Sequence, residues 1–136
     1  MINKKRLVNT FKDLVKIDSI SRDEKKVANY IIKKLEKLKL KYKIDNSNKK
    51  TGSNTGNIIV YKNYNSKQGV YLLSSHMDTV VPGINIKPII KKKYITSAGN
   101  TILGADDKSG LAIIIELLET LVEKKIPHLN IEVAIT

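Results

Sequence analysis

Helix-period and strand-period segments alternate along this chain, and that alternation restricts it to a layered α/β architecture. Leu7, Phe11, Leu14 and Val15 recur at helical spacing, which predicts a first helix from about Lys4 to Lys16. Ser21-Arg22-Asp23-Glu24 has the form of a capping box, in which the Ser21 hydroxyl accepts from the third helical amide while Glu24 reaches back. Val27, Tyr30, Ile31, Leu35 and Leu38 mark the apolar face of the helix that follows. After Leu40 the period changes, and Leu40, Tyr42 and Ile44 alternate with lysines as in a strand with one wet face. Asn46 to Gly56 reads as a loop by composition, Asn57 to Tyr61 as a strand, and Asn63 to Gln68 as a turn. The continuous apolar run Val70-Tyr71-Leu72-Leu73 predicts a strand covered on both faces. A hairpin is expected with arms near Ile86–Ile90 and Lys93–Thr96, then a helix from Lys108 to about Glu123 that Pro127 stops. Leu129 to Thr136 is a last apolar, β-branched strand. Strands interleaved with helices imply an α/β fold, a mixed sheet flanked by helices. The last strand meets no turn or cap, so the domain is expected to be incomplete at its C-terminal side.

At 136 residues the chain is long enough for one domain with a core. It contains no apolar run of about 18 residues and no export signal in Met1 to Arg6, which leads to the expectation of a cytoplasmic protein without membrane partners. The absence of cysteine excludes a disulfide framework and a thiolate metal site. A net charge of +12 invites a nucleic-acid reading, but Arg6 and Arg22 are the only arginines among 25 basic residues. Arginine is the fork that suits phosphate and base edges, and no aromatic residue is interleaved within the runs Lys25-Lys26, Lys33-Lys34, Lys49-Lys50 and Lys91-Lys92-Lys93 as a stacking platform. The lysines are read as solvated surface, with no nucleic-acid partner.

Metal-capable residues concentrate in two places. Ser74-Ser75-His76-Met77-Asp78-Thr79 lies at the carboxyl end of the apolar run from Val70, where ligand sites form in open α/β sheets. His76 and Asp78 are two apart, so on extended backbone they point the same way, and the carboxylate can accept the second ring N–H of the imidazole. The other place is Thr101 to Gly110, with Asp106-Asp107 just before a helix. Each has a plainer reading. A lone histidine is commonly a satisfied packing residue, and aspartates at a helix start serve as caps and favour its dipole. His128, in the loop after Pro127, is read as surface.

Ser-His-Met-Asp-Thr-Val at 75–80 followed by Gly-Ala-Asp-Asp-Lys-Ser-Gly at 104–110 closely resembles the two signature segments of the peptidase T (tripeptidase) branch of the dinuclear zinc exopeptidases. That family also includes carboxypeptidase G, aminoacylase and succinyl-diaminopimelate desuccinylase. Val81-Pro82-Gly83, Ile86 to Ile90 and Ile126-Pro127-His128 look like the same branch, so the resemblance spans essentially the whole chain. By position it implies that His76 binds one metal ion, that Asp78 orients that imidazole, and that Asp106 bridges two ions. It implies that Asp107 is joined to Asp106 by a cis peptide and that Gly104, like Gly110, lets backbone pass close to the site. Two divalent ions about 3.5–4 Å apart, with a shared activated water, are the implied cofactors. Zinc suits the imidazole and carboxylate donors, with cobalt or manganese as alternatives.

The implied activity is hydrolysis of short peptides from their amino terminus. Residues 1–136 would be the N-terminal part of the catalytic domain. The family's pair of glutamates after the last strand, one of them the general base, has no counterpart here, and neither does the later lid or dimerisation domain of a homodimeric full-length enzyme. The 136 residues alone are therefore expected to be inactive and to bind metal weakly. Competing readings are a carboxypeptidase or deacylase of the same family, a non-catalytic basic binding module, and a gene fragment without function.

Overall fold

The structure is a computed structural model, and it describes residues 2–63 and 69–136. The elements run α1 (Lys4–Lys16), α2 (Lys25–Lys37), β1 (Lys41–Ile44), α3 (Asn48–Thr51), β2 (Ile58–Lys62), β3 (Val70–Ser75), β4 (Pro88–Ile90), β5 (Ile95–Ser97), α4 (Ala105–Lys124) and β6 (Asn130–Ile135). Four strands form a sheet in the order β1-β2-β6-β3, with β3 parallel to β6 and the other pairs antiparallel. The hairpin β4–β5 stands as a separate two-stranded sheet. The α/β class with a mixed sheet is thus as the alternating periods require. The turn expected at 63–68 falls mostly outside the described residues.

Apolar periodicity places the core. Ile58 and Val60 of β2 and Ile131, Val133 and Ile135 of β6 share it with Leu14, Val15, Ile31, Leu35, Leu111, Ile115 and Leu118 of the helices. Burying each such side chain is worth about 1.5–3 kcal/mol, so this interface dominates the stability of the fold.

Four local expectations need correction. β3 is not covered on both faces: Tyr71 and Leu72, which point to opposite sides, are 62% and 66% exposed. Among the described strands β3 is an edge with only β6 beside it, and an apolar run records that a strand needs cover without recording what covers it. The loop over 46–56 contains the one-turn helix α3, closed by Gly52 at φ +75°. No capping box forms at 21–24. The helix starts later, at Lys25, while Glu24 is buried and accepts from the Arg22 amide and the Ser53 hydroxyl. Finally, His128 is half-buried, with Nδ1 against the Leu129 carbonyl.

An ionic clamp, not foreshadowed by the helical pattern, joins α1 to α4. Glu116, with a side chain 1% exposed, accepts from Arg6 Nε at 2.6 Å and Nη2 at 3.0 Å. It also accepts from the Asn3 amide at 2.7 Å and the Thr120 hydroxyl at 3.0 Å. Arg6 Nε lies 2.7 Å from Glu119 Oε2, and Nη1 pairs with Glu123. The Glu119 contact lacks hydrogen-bond alignment, so it is an electrostatic pairing only. Spaced at three and four residues along α4, the three carboxylates face one guanidinium, whose five donors suit such a cluster. The buried charge is therefore paired and hydrogen-bonded, as its burial demands.

Candidate metal centre

The two motifs meet at the carboxyl ends of the parallel strands. β3 runs through Ser75 and then leaves the sheet as the segment 76–79, so His76 is the first side chain beyond the ladder. The ladder persists in part: the Met77 amide donates to the Thr136 carbonyl at 2.7 Å and the Thr136 amide to the Ser75 carbonyl at 3.0 Å. From the other side, the segment 18–21 is tied against 77–79. The Thr79 amide donates to the Ser19 carbonyl, the Ser19 hydroxyl to the Met77 carbonyl, and Ile20 bridges Thr79.

At the start of α4, Asp106 and Asp107 have non-helical backbone angles and are joined by a cis peptide. Their side chains take different roles. Asp107 is the cap, with Oδ1 accepting from the Gly110 amide at 3.0 Å and Oδ2 from the Ser75 hydroxyl at 2.7 Å. Asp106 faces the other motif, with Oδ1 3.0 Å from His76 Nε2. The plain reading of the aspartate pair thus holds for one member and fails for the other. Gly110 is required sterically, because a Cβ there would sit 2.5 Å from both Asp107 carboxylate oxygens. Gly104 sits at φ +70°, and a Cβ would come within 3.1 Å of Thr79.

His76 has a carboxylate on each ring nitrogen. Nδ1 lies 2.9 Å from Asp78 Oδ1 and 3.1 Å from the Asp78 carbonyl, while Nε2 faces Asp106. Partial burial lowers the imidazole pKa, but the bonds to Asp106 and Asp78 outweigh it, and the net shift is upward. The Asp106 side chain is 95% exposed, so its pairing with His76 contributes little to stability. Convergence of the two therefore calls for a reason other than holding the fold.

These side chains fit a divalent cation in chemistry and spacing. Two donors on a tetrahedral ion at 2.0–2.1 Å lie roughly 3.3 Å apart, close to the 3.0 Å between Nε2 and Oδ1. Asp78 on the far nitrogen is the usual orienting carboxylate of a metal-binding histidine. Two donors nevertheless make half of a four-coordinate shell, and among the described residues no group of three or more donor side chains converges. The site opens into a cleft of about 330 Å³ whose apolar wall is Val80, Ile102 and Leu103.

Lys108 is a structural residue of this site that the motif alone did not flag. It is 1% exposed and donates through Nζ to the Leu14 carbonyl at 3.1 Å and the Ile17 carbonyl at 3.2 Å, pinning the start of α4 to the end of α1. Burial pushes its ammonium down to about 8, against the pull of Asp18 and Asp78. Its position directly after the aspartate pair was visible; its carbonyl partners more than ninety residues away were not.

The chain shares its fold with segments of two peptidases of known structure. A tripeptidase of Staphylococcus aureus subsp. aureus Mu50, known from a crystal structure, matches 100% of this chain at 45% identity with a TM-score of 0.93. The aminopeptidase PepT of Bacillus cereus ATCC 10987 matches 99% of it, also at 45% identity and 0.93. An uncharacterized protein of Bacillus subtilis (strain 168) is 40% identical over all 136 residues. No protein-family model matches the chain. The resemblance to tripeptidases that the two motifs carry therefore extends along the whole chain, which spans 37%, 36% and 37% of these three proteins respectively.

Proposed function

We propose that the chain is the N-terminal part of the catalytic domain of a metallopeptidase that releases amino-terminal residues from short peptides. The observation that carries the reading is the 3.0 Å approach of His76 Nε2 to Asp106 Oδ1, with Asp78 holding the opposite ring nitrogen. The likeness to a tripeptidase and to an aminopeptidase over the whole chain supports the substrate class.

A divalent ion held here, zinc by donor type, would lower the pKa of a coordinated water toward 7 and polarise the scissile carbonyl. The chain's own residues do the positioning. Asp78 accepts the Nδ1 proton and so presents the Nε2 lone pair toward the site. Asp106 would hold metal through an exposed carboxylate that supplies negative charge at the site. Asp107 and Gly110 fix the backbone that aims Asp106, and the wall of Val80, Ile102 and Leu103 can accept an apolar side chain. Among the described residues, His76 and Asp106 supply two donors, half of a four-coordinate shell. The parallel pairing of β3 with β6 brings Thr136 itself beside the segment that carries His76.

The test is a chimera in which residues 1–136 replace the matched stretch of the Staphylococcus aureus tripeptidase. The expected result is tripeptide cleavage that a chelator abolishes and that His76→Ala or Asp106→Ala removes, while residues 1–136 alone show no turnover. A folded chimera whose turnover is indifferent to both substitutions, or clear cleavage by the 136 residues alone, contradicts the proposal.

A further inference from the structure

We propose that Ser21 is a positioning residue for the candidate metal centre, acting through Asp78 on the ring of His76. Its hydroxyl donates to Asp78 Oδ2 at 2.5 Å, and the other oxygen of the same carboxylate, Oδ1, faces His76 Nδ1 at 2.9 Å. Ser21, Asp78, His76 and Asp106 therefore form one continuous chain of polar contacts ending at the metal-facing nitrogen.

The sequence pattern assigns Ser21 a different task, the cap of α2. In the structure α2 begins at Lys25, whose amide donates to Asn54 Oδ1 and not to Ser21, and the Ser21 hydroxyl spans 57 positions to reach Asp78. The segment that carries Ser21 does not need this bond to stay attached. Ser19 already binds Met77 and Thr79 through its hydroxyl and carbonyl, and Ile20 bridges Thr79. What the Ser21 bond adds is a second fixed point on the carboxylate. Rotation about the terminal carboxyl torsion is soft, so an aspartate with one partner can turn its plane. With a donor on each oxygen the plane is set, and with it the hydrogen bond that favours the Nδ1–H tautomer over the Nε2–H form for which the exposed Asp106 carboxylate competes.

This inference rests on the metal-centre reading for its consequence, but its geometry is testable without metal. The ring nitrogen shifts of His76 are measured by NMR in the ¹⁵N-labelled chain, at a pH where the imidazole is neutral, for wild type, Ser21→Ala, Ser21→Thr and Ser21→Val. Threonine keeps the hydroxyl, and valine has threonine's shape without it. Wild type and Ser21→Thr are expected to hold the Nδ1–H tautomer, whereas Ser21→Ala and Ser21→Val lower the ratio of Nδ1–H to Nε2–H by about twofold or more. Zinc affinity of the four proteins by calorimetry is expected to fall on the order of 10-fold in the alanine and valine variants and to be kept by threonine. Equal tautomer ratios in wild type and Ser21→Val overturn the assignment. So does a valine variant that fails to fold while the threonine variant folds, since Ser21 would then hold the fold. If none of the four binds zinc, the metal-centre reading fails and the ring measurement still decides the role of Ser21.

Discussion

The Met77 amide donates to the Thr136 carbonyl at 2.7 Å, so the end of β6 lies directly beside the segment that carries His76. A parallel pair brings the carboxyl ends of both strands to one edge of the sheet, and α4 delivers Asp106 to the same edge. Three stretches far apart in sequence thereby meet at one edge of the sheet. The segment 18–21 adds a fourth through Ser19 and Ser21.

The Arg6 clamp predicts a large loss on removing one partner. Arg6→Ala leaves Glu116, buried at 1% exposure, without its guanidinium, and breaking a buried pair in this way costs about 3–5 kcal/mol. Arg6 itself is 22% exposed, which puts the expectation at the lower end. Arg6→Lys restores only part, because an ammonium cannot meet several carboxylates at once. Urea denaturation midpoints at neutral pH check both.

Acid should weaken the fold through two carboxylates. Burial raises the Glu116 pKa, but the bonds from Arg6, the Asn3 amide and Thr120 win, and the net shift is downward. The Ser47 hydroxyl and amide, with smaller help from Asn57, hold Asp45 down to about 2 against desolvation. A depressed folded-state pKa means the unfolded chain binds protons first as pH falls, so the stabilisation is complete above the ordinary carboxylate range and is lost below it. Thermal midpoints should fall from about pH 4.5 toward 2. Asp45→Asn should flatten the lower part of that fall.

Lys108→Met should destabilise by about 1–3 kcal/mol despite removing a buried charge, because methionine matches its length but cannot donate to the Leu14 and Ile17 carbonyls. Denaturant unfolding measures the loss. An unchanged midpoint would show that water or the peptide groups themselves satisfy those carbonyls.

Gly110→Ala and Gly52→Ala separate two kinds of glycine. At Gly110 a Cβ collides with the Asp107 carboxylate, so the substitution should cost about 0.5–2 kcal/mol through loss of the cap and should also weaken metal binding. At Gly52 nothing lies within 4 Å, and only the positive φ is strained, at about 1–2 kcal/mol with no effect on metal. Calorimetry with zinc distinguishes them.

Much of the architecture was legible because it depends on local period. Leu7, Phe11, Leu14 and Val15 announce α1, and the β-branched run after Leu129 announces β6. The proximity of His76 to Asp106 came from the resemblance carried by two motifs, since nothing local relates residues thirty positions apart. Contacts set by tertiary structure stayed hidden. Ser21 has the right neighbours for a cap and is drawn away by Asp78, a partner no window around it contains. Glu116 and Glu119 look like ordinary polar positions on α4 until Arg6 arrives from α1. The exposure of Tyr71 and Leu72 depends on what packs on the two faces of β3, which apolar content does not encode.

The most direct test titrates zinc into the ¹⁵N-labelled 136-residue chain and follows the ring nitrogens of His76. Selective movement of the Nε2 resonance, lost in Asp106→Ala while that variant remains folded, is what a shared cation between the two side chains produces. A His76 ring that ignores zinc at millimolar concentration, or responds identically without the Asp106 carboxylate, would mean that the two side chains meet for some purpose other than holding a metal.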